Sequence, residues 1–143
     1  MPRPQSNRIV HEPPVITGFK PMGIPGSSLR QIQLSLDEFE AMRLADYQGM
    51  SHEEAAEEMG ISRSTFSRLI EKARSKIAEF IIKGRLLSIE GGNVHFRKNI
   101  IQCAECGHMF RTNIDADVSE CPECRSTRLI NHAGGFGHGR CCR

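Results

Sequence analysis

Apolar residues recur along the middle of the chain with the spacing of amphipathic helices. Between residues 34 and 84 they fall at intervals of three and four, so that each segment carries one apolar stripe. Ser35 and Ser51 are each followed three residues later by glutamate, which is the capping-box signature of a helix N-terminus. Ser62 can cap a third helix. The pattern therefore predicts three helices in residues 34–84.

The longest predicted helix starts at Arg63 and ends near Gly84. Its apolar stripe consists of Phe66, Leu69, Ile70, Ala73, Ile77, Phe80 and Ile81. The helix before it ends at Gly60, which takes a positive φ without a Cβ penalty. Ala56 in that helix is small enough to let the two helices approach closely. A short helix, a tight turn and a longer helix with a polar N-terminal half form the helix-turn-helix plan.

The flanking segments have different compositions. Residues 1–33 contain six of the seven prolines, which predicts an extended, Pro-rich N-terminal arm because proline blocks helices. Residues 85–99 are typical of two short strands around a Gly-Gly turn, or of a linker. Residues 100–130 contain two Cys-x-x-Cys pairs, and the glycine-rich residues 131–143 predict a flexible tail.

The two cysteine pairs have the spacing of a tetrahedral metal site. The four residues are Cys103, Cys106, Cys121 and Cys124, with fourteen residues between the second and the third. Gly107 permits the first turn, and Pro122 stiffens the second. Four thiolates suit Zn²⁺ or Fe²⁺ and leave no open position, so we expect a zinc ribbon with a structural zinc ion. A rubredoxin-like iron site and a redox dithiol pair are the alternatives.

The C-terminal tail contains further metal-binding residue types. These are His132, His138, Cys141 and Cys142. Adjacent cysteines chelate one tetrahedral ion poorly without a turn between them, so we expect a flexible tail rather than a metal or redox sensor. His108 directly follows the first cysteine pair, and with four cysteines present we expect it to be a bystander.

Composition favours a soluble protein with two modest cores. The chain of 143 residues is 38% hydrophobic and 25% charged, and it has seven Phe, one Tyr and no Trp. The N-terminus lacks the apolar stretch of a signal peptide, and no run approaches the ~18 apolar residues of a membrane span. We therefore expect a cytoplasmic protein, in which cysteines bind metal before they form disulfides.

A formal net charge of +2 conceals a strongly uneven distribution. The second predicted helix carries Glu53, Glu54, Glu57 and Glu58 without a base, whereas the segment from Arg63 to Lys83 has six basic residues against two acidic ones. A basic helix of this kind suits a polyanion. The alternative is a solvated helix with charge pairs one turn apart.

The N-terminal half of the third helix is predicted to read DNA. Serines and arginines there point away from the predicted core. In a helix-turn-helix these positions reach base edges in the major groove, where arginine bonds guanine and serine bonds a phosphate or a base. The helix N-terminus itself favours phosphate. The predicted DNA-binding residues are Ser62, Arg63, Ser64, Ser67, Arg68 and Lys72. A three-helix bundle that binds only protein is the alternative.

Two resemblances support this interpretation. The stretch "LSLDEFEAMRLADYQGMSHEEAAEEMGISRSTFSRLIEKARSKI" resembles region 4 of sigma-70-type factors, which reads the −35 promoter element. The arrangement from "FKPMGIP" through "ARSKIAEFIIKG" is similar to the bacterial and archaeal family called domain of unknown function 134, over roughly residues 1–92. That family implies a helix-turn-helix fold and DNA binding. The expected fold class is therefore a mainly α, sigma-70 region 4-like domain at residues 34–84 and a small β zinc ribbon.

Three functional hypotheses follow. The first is a DNA-binding transcriptional regulator. The second is a non-enzymatic adaptor that binds protein or RNA, for example RNA polymerase, through the helices and the ribbon. The third, an enzyme or electron carrier, is disfavoured because the sequence has no nucleophile–base pairing, phosphate loop or paired acids in a recognisable frame. A homodimer is also expected, because the apolar stripe from Ile77 to Ile82 exceeds what the helical core needs.

Overall fold

A computed structural model describes residues 7–137 and divides them into two compact units. The first unit comprises residues 16–94 together with 7–9, and it contains the three α-helices of the described chain. The second comprises residues 10–15 and 95–137 and is built mainly of strands. β1 (Arg8–Val10) and β5 (Val94–Phe96) form a two-stranded sheet.

Three capped helices form the centre of the first unit. Their bounds are α1 (Leu36–Met42), extended by a π-helical turn (Arg43–Tyr47), α2 (His52–Met59) and α3 (Arg63–Lys83). The side chains of Ser35, Ser51 and Ser62 each accept a hydrogen bond from the backbone three residues later, as predicted. Gly60 ends α2 with φ +68°, also as predicted. The local capping signals therefore fix where these helices begin and end.

The helical core uses only the first half of the predicted α3 stripe. Its buried members are Ala41, Leu44, Ala55, Ala56, Met59, Phe66, Leu69 and Ile70. Phe66 and Ile70 are fully buried, whereas Ile77 and Phe80 are half-buried and Ile81 is exposed. The second half of α3 thus extends beyond the core that α1 and α2 provide.

A three-stranded sheet completes the first unit, and the sequence analysis did not predict it. It consists of β2 (Gly18–Phe19), β3 (Gln31–Leu34) and β4 (Leu86–Ile89) in the order β2-β4-β3. β4 is antiparallel to β2 and parallel to β3. The predicted division into an arm at 1–33 and a linker or hairpin at 85–99 is corrected here: β4 pairs with N-terminal strands and not with β5. β2 lies between Pro14 and Pro21, and β3 follows Pro25, so these strands avoid the prolines, which cannot donate ladder hydrogen bonds.

The second unit contains an antiparallel sheet and a structured C-terminal segment. Its strands are β6 (Lys98–Cys103), β7 (Met109–Asn113) and β8 (Leu129–Asn131) in the order β7-β6-β8. The tail predicted to be flexible begins in β8, continues through the buried Ala133 and forms a 3₁₀ turn at Gly134–Phe136. The Asn99 side-chain oxygen holds it by accepting the Ala133 N–H at 3.0 Å. The rest of the tail, including Cys141 and Cys142, lies outside the described residues.

Within residues 7–137, every helix is too short or too polar to span a lipid bilayer.

Candidate metal centre and candidate nucleic-acid interface

The four predicted metal-ligating cysteines converge in the second unit. The sulfurs of Cys103, Cys106, Cys121 and Cys124 all lie within 4.8 Å of one another. The Cys103–Cys124 sulfur distance is 3.5 Å, and the Cys106–Cys121 distance is 3.7 Å. A disulfide requires about 2.05 Å, whereas a tetrahedral ion with metal–sulfur bonds of about 2.3 Å separates its ligands by about 3.8 Å. The sulfur cluster therefore has the size of a four-thiolate metal site.

Two equivalent turns present these sulfurs. In the first, the Cys106 N–H points at the Cys103 sulfur at 3.5 Å, and the Gly107 N–H donates to the Cys103 carbonyl at 3.0 Å. In the second, the Glu123 N–H points at the Cys121 sulfur at 3.4 Å, and the Arg125 N–H donates to the Cys121 carbonyl at 2.9 Å. Each turn thus converts a Cys-x-x-Cys sequence into a pair of sulfurs on one side of the backbone.

The residue after each turn adopts the left-handed conformation. Gly107 has φ +77°, as the sequence predicted, and Arg125 has φ +63°. Arg125 is the one non-glycine residue of the described segment with positive φ. Sequence analysis missed this strain, although its signal was present: Arg125 follows Cys124 just as Gly107 follows Cys106. A residue with a Cβ is strained in this conformation.

The electrostatics of the cluster favour a bound cation. The Cys106 backbone N–H lowers the pKa of the Cys103 thiol to about 6. At Cys124 the Ser126 backbone N–H lowers the pKa, but the Cys103 sulfur and burial together raise it to about 12. Without a cation, one sulfur therefore ionises readily while a neighbour keeps its proton. A divalent metal would stabilise all four thiolates at once.

His108 and His132 do not join this cluster. The His108 ring stacks on Phe110 with a centroid distance of 5.7 Å, consistent with a bystander. The His132 ring Nε2 lies 3.1 Å from the Gln102 side-chain oxygen, and burial lowers the pKa of the imidazole. His138 lies outside the described residues.

The six predicted DNA-binding residues lie along the first half of α3, but they differ in their surroundings. Ser62 caps the helix, and its hydroxyl also contacts the side chains of Ser64 and Thr65. Ser67 is half-buried and bonds to His52 of α2 at 3.1 Å. Ser62 therefore has the capping role that its sequence predicts, and Ser67 has an additional structural role that its sequence did not indicate.

The three predicted contacts that are cations have no internal partner among the described residues. Arg63, Arg68 and Lys72 are exposed, and the described residues 7–137 provide none of them with an ion pair or side-chain hydrogen bond. Two cations further along α3 behave differently. Arg74 binds Asp46 with a shortest distance of 2.6 Å, and Lys76 binds Glu38 at 2.6 Å. The unpaired positive charge of α3 is thus concentrated near its N-terminus, although Lys83 is also exposed at the opposite end.

A polar groove of about 570 Å³ runs beside this part of α3. Thr65, Arg68, Lys72 and Lys76 line one side, one turn apart along the helix. Arg8, which pairs with Asp37, and Asn93 also line it. Sequence analysis did not connect these two residues to α3, because they are brought there by strand pairing rather than by local pattern.

The chain therefore combines a mainly helical unit with a unit whose four cysteines could hold a metal ion. The chain belongs to the family described as Protein of unknown function DUF134, which it matches over residues 1–97.

Curated relatives extend the similarity over nearly the whole chain. A UPF0251 protein of Chloroherpeton thalassium is 48% identical over 143 residues, covering 98% of this chain and 95% of the relative. A UPF0251 protein of Pelotomaculum thermopropionicum is 44% identical over 126 residues, covering 88% of this chain and 95% of the relative. No solved structure matches this chain.

Proposed function

We propose that this protein is a sequence-specific double-stranded-DNA-binding protein, and that it regulates transcription. In this proposal α2, the Gly60 turn and α3 are a helix-turn-helix that resembles sigma-70 region 4. The observation that carries the proposal is the separation of charge along α3. Among residues 7–137, Arg63, Arg68 and Lys72 have no internal anion, whereas Arg74 and Lys76 do.

The N-terminus of α3 also differs from those of the other helices. The first turn of α1 contains Asp37 and Glu38, and the first turn of α2 contains Glu53 and Glu54. The first turn of α3 contains no acidic residue. Carboxylates at a helix N-terminus offset the positive end of the helix dipole. In α3 that positive end is left for an external anion, and a DNA phosphate supplies one.

The core packing of α3 is compatible with major-groove reading. Phe66, Leu69 and Ile70 anchor one face of the helix in the core. Arg63 and Ser64 are exposed at its beginning. In a helix-turn-helix the first residues of the second helix reach base edges. Arg63 and Arg68 are therefore the proposed base-reading residues, and Lys72 is a proposed phosphate contact.

The metal in this proposal is a structural zinc ion. Four thiolates complete a tetrahedral shell, so no position remains for a substrate or a reactive water. Zn²⁺ suits sulfur ligands and does not change oxidation state, and its binding would supply folding energy to a small strand unit. Iron is the competing ion, and a ferric-thiolate site is distinguished by its colour. No catalytic role is proposed.

The test is selection of duplexes from a random pool by the full-length, metal-loaded protein, followed by binding measurements on the enriched sequence. We expect one enriched motif, and an affinity that falls steeply with salt because phosphate contacts release counterions. Failure to enrich any sequence would contradict specific DNA reading. Binding to protein or RNA but not to duplex DNA would favour an adaptor instead.

A further inference from the structure

The polar groove beside α3 connects the proposed reading helix to residues outside the helix-turn-helix. All of its lining residues belong to the helical unit. Its α3 residues follow one another at intervals of three and four: Thr65, Arg68, Lys72 and Lys76. Two further lining residues come from distant parts of the sequence, namely Arg8 of β1 and Asn93, which directly precedes β5. The groove therefore offers polar groups from α3 and from these two residues to one ligand.

The positive and negative charges of the groove differ in exposure. Four of its lining residues are cations and two are carboxylates, which gives an excess of two positive charges. The carboxylates, Asp37 and Glu38, are only 8% and 2% exposed, and each is already bound by a cation of the groove. Arg68 and Lys72 are exposed and have no anion among residues 7–137. An incoming anion therefore meets unpaired cations before it meets a carboxylate.

The side of α3 that faces α2 has the opposite charge character. There Ser67 bonds to His52 at the beginning of α2. The next two residues of α2 are Glu53 and Glu54, both exposed, and α2 contains no lysine or arginine. A phosphate backbone on that side would lie near carboxylates, which repel it. The groove side is therefore the more favourable path for a polyanion beside α3.

We propose that the sugar-phosphate backbone of one strand of a bound DNA duplex lies in the polar groove, held by Lys72 of α3 and by Arg8 and Asn93. Asp37 binds one terminal nitrogen of Arg8, and a guanidinium has five N–H donors, so this pair leaves donors for phosphate oxygens. Asn93 is exposed, and its side-chain amide can donate two hydrogen bonds. Asp37 is then a positioning residue, because it fixes the arginine that contacts the backbone.

The length of the basic track favours a nucleic-acid strand over a single small anion. Arg68 and Lys76 are eight residues apart, which corresponds to about 12 Å along a helix. One phosphate ion cannot contact both ends of such a track. A DNA strand carries a phosphate every ~3.4 Å along the duplex axis, so several can lie in the groove together. The inference rests on the proposed function, because α3 must occupy the major groove for a backbone strand to lie beside it.

Titrations of the full-length, metal-loaded protein over a series of salt concentrations test this inference on the selected duplex and on a random one. Arg8→Gln should reduce the slope of log K against log salt by about one. It should also weaken binding to both duplexes about five- to tenfold at about 0.1 M salt, because one phosphate contact is lost. Arg74→Gln is the matched control, since Arg74 also pairs with an aspartate of the helical unit but does not line the groove. It should bind both duplexes like the wild type, and unchanged helical circular dichroism would establish that both variants fold.

Asn93→Lys is a second test that leaves the Arg8–Asp37 pair in place. A lysine there should tighten binding to both duplexes about five- to tenfold at about 0.1 M salt and increase the salt slope by about one. Thr17→Lys adds the same charge at a position that is exposed in the same unit and lies outside the groove, so it should change little. Equal tightening by the two lysines would overturn the inference, because it would assign the effect to net charge rather than to a phosphate in the groove.

The other outcomes separate this inference from the proposed function. Wild-type salt slopes for both Arg8→Gln and Asn93→Lys would overturn the groove assignment, while weaker binding of Arg63→Ala to the selected duplex would keep the proposed function standing. A change confined to the selected duplex would assign Arg8 or Asn93 to a base and would equally overturn the backbone contact. A wild type that binds no duplex DNA would contradict the proposed function itself, and the inference with it.

Discussion

The hydroxyl of Ser67 in α3 lies 3.1 Å from Nδ1 of His52 in α2. The His52 ring also meets Phe66 edge-on, with a centroid distance of 5.3 Å. These two contacts connect the beginning of α2 to the middle of the proposed reading segment. Ser67 therefore orients α3 against α2, whether or not it also reaches DNA.

Replacement of Ser67 by alanine should lower the free energy of unfolding of the helical unit by about 1 kcal/mol, because one partly buried hydrogen bond is lost. Ser75→Ala is the matched control, since Ser75 is exposed on the same helix. Denaturant unfolding followed by helical circular dichroism measures both. Equal stabilities of the two variants would show that the Ser67–His52 bond contributes nothing.

Replacement of Arg63 or Arg68 by alanine should weaken binding to the preferred duplex by about 1–3 kcal/mol, and weaken random duplex less, because a bidentate base contact is lost. Lys83→Ala removes an exposed cation at the other end of α3 and should have little effect on either duplex. Fluorescence anisotropy titrations of each protein on both duplexes give the affinities. Equal losses on specific and random duplexes would assign the arginines to phosphates, and unchanged binding would remove them from the interface.

Local sequence signals predict the helices, whereas the pairing of strands distant in the sequence could not be predicted. The serine caps and Gly60 act within a few residues of themselves, so the three helices were predictable. In the β3–β4 ladder Ile32 pairs with Leu87, and no local sequence pattern predicts that pairing. The proline content of residues 1–33 therefore predicts an arm, whereas in the structure short strands of this segment complete the first unit.

At the cysteine site, too, the local feature was predictable and the long-range contact was not. The Cys-x-x-Cys spacing is local and predicted the four converging sulfurs correctly. The attachment of the tail was missed because it depends on Asn99, whose side-chain oxygen accepts the N–H groups of Ile100 and Ala133. The sequence around Asn99 does not indicate that its side chain binds a segment more than thirty residues away. Glycine content alone suggested mobility there.

Removal of metal should unfold the second unit and leave the helical unit largely intact. The helical unit has its own buried core, whereas the cysteine unit is expected to depend on metal for folding energy. Treatment with a strong chelator, followed by circular dichroism and two-dimensional NMR, tests this. We expect collapse of the signals from residues 98–131 and retention of most helical ellipticity. Loss of the helical signal on chelation would show that the two units fold as one.

Substitution of Arg125 by glycine should stabilise the metal-bound second unit. Arg125 has φ +63°, a conformation that disfavours a residue with a Cβ by about 1–2 kcal/mol. Glycine removes that penalty but costs about 0.5–1 kcal/mol through the greater entropy of the unfolded chain, which leaves a net gain of up to about 1.5 kcal/mol. Arg125→Val should destabilise the unit, because a β-branched residue fits this region worst. Gly107→Ala is the reciprocal test at the first turn, where an added Cβ would meet no atom within 4 Å and the cost is purely conformational. Thermal unfolding of the Co²⁺-loaded proteins, followed through the visible thiolate–metal absorption, gives all three values. An Arg125→Gly protein that melts below the wild type would show that the arginine side chain itself stabilises the turn.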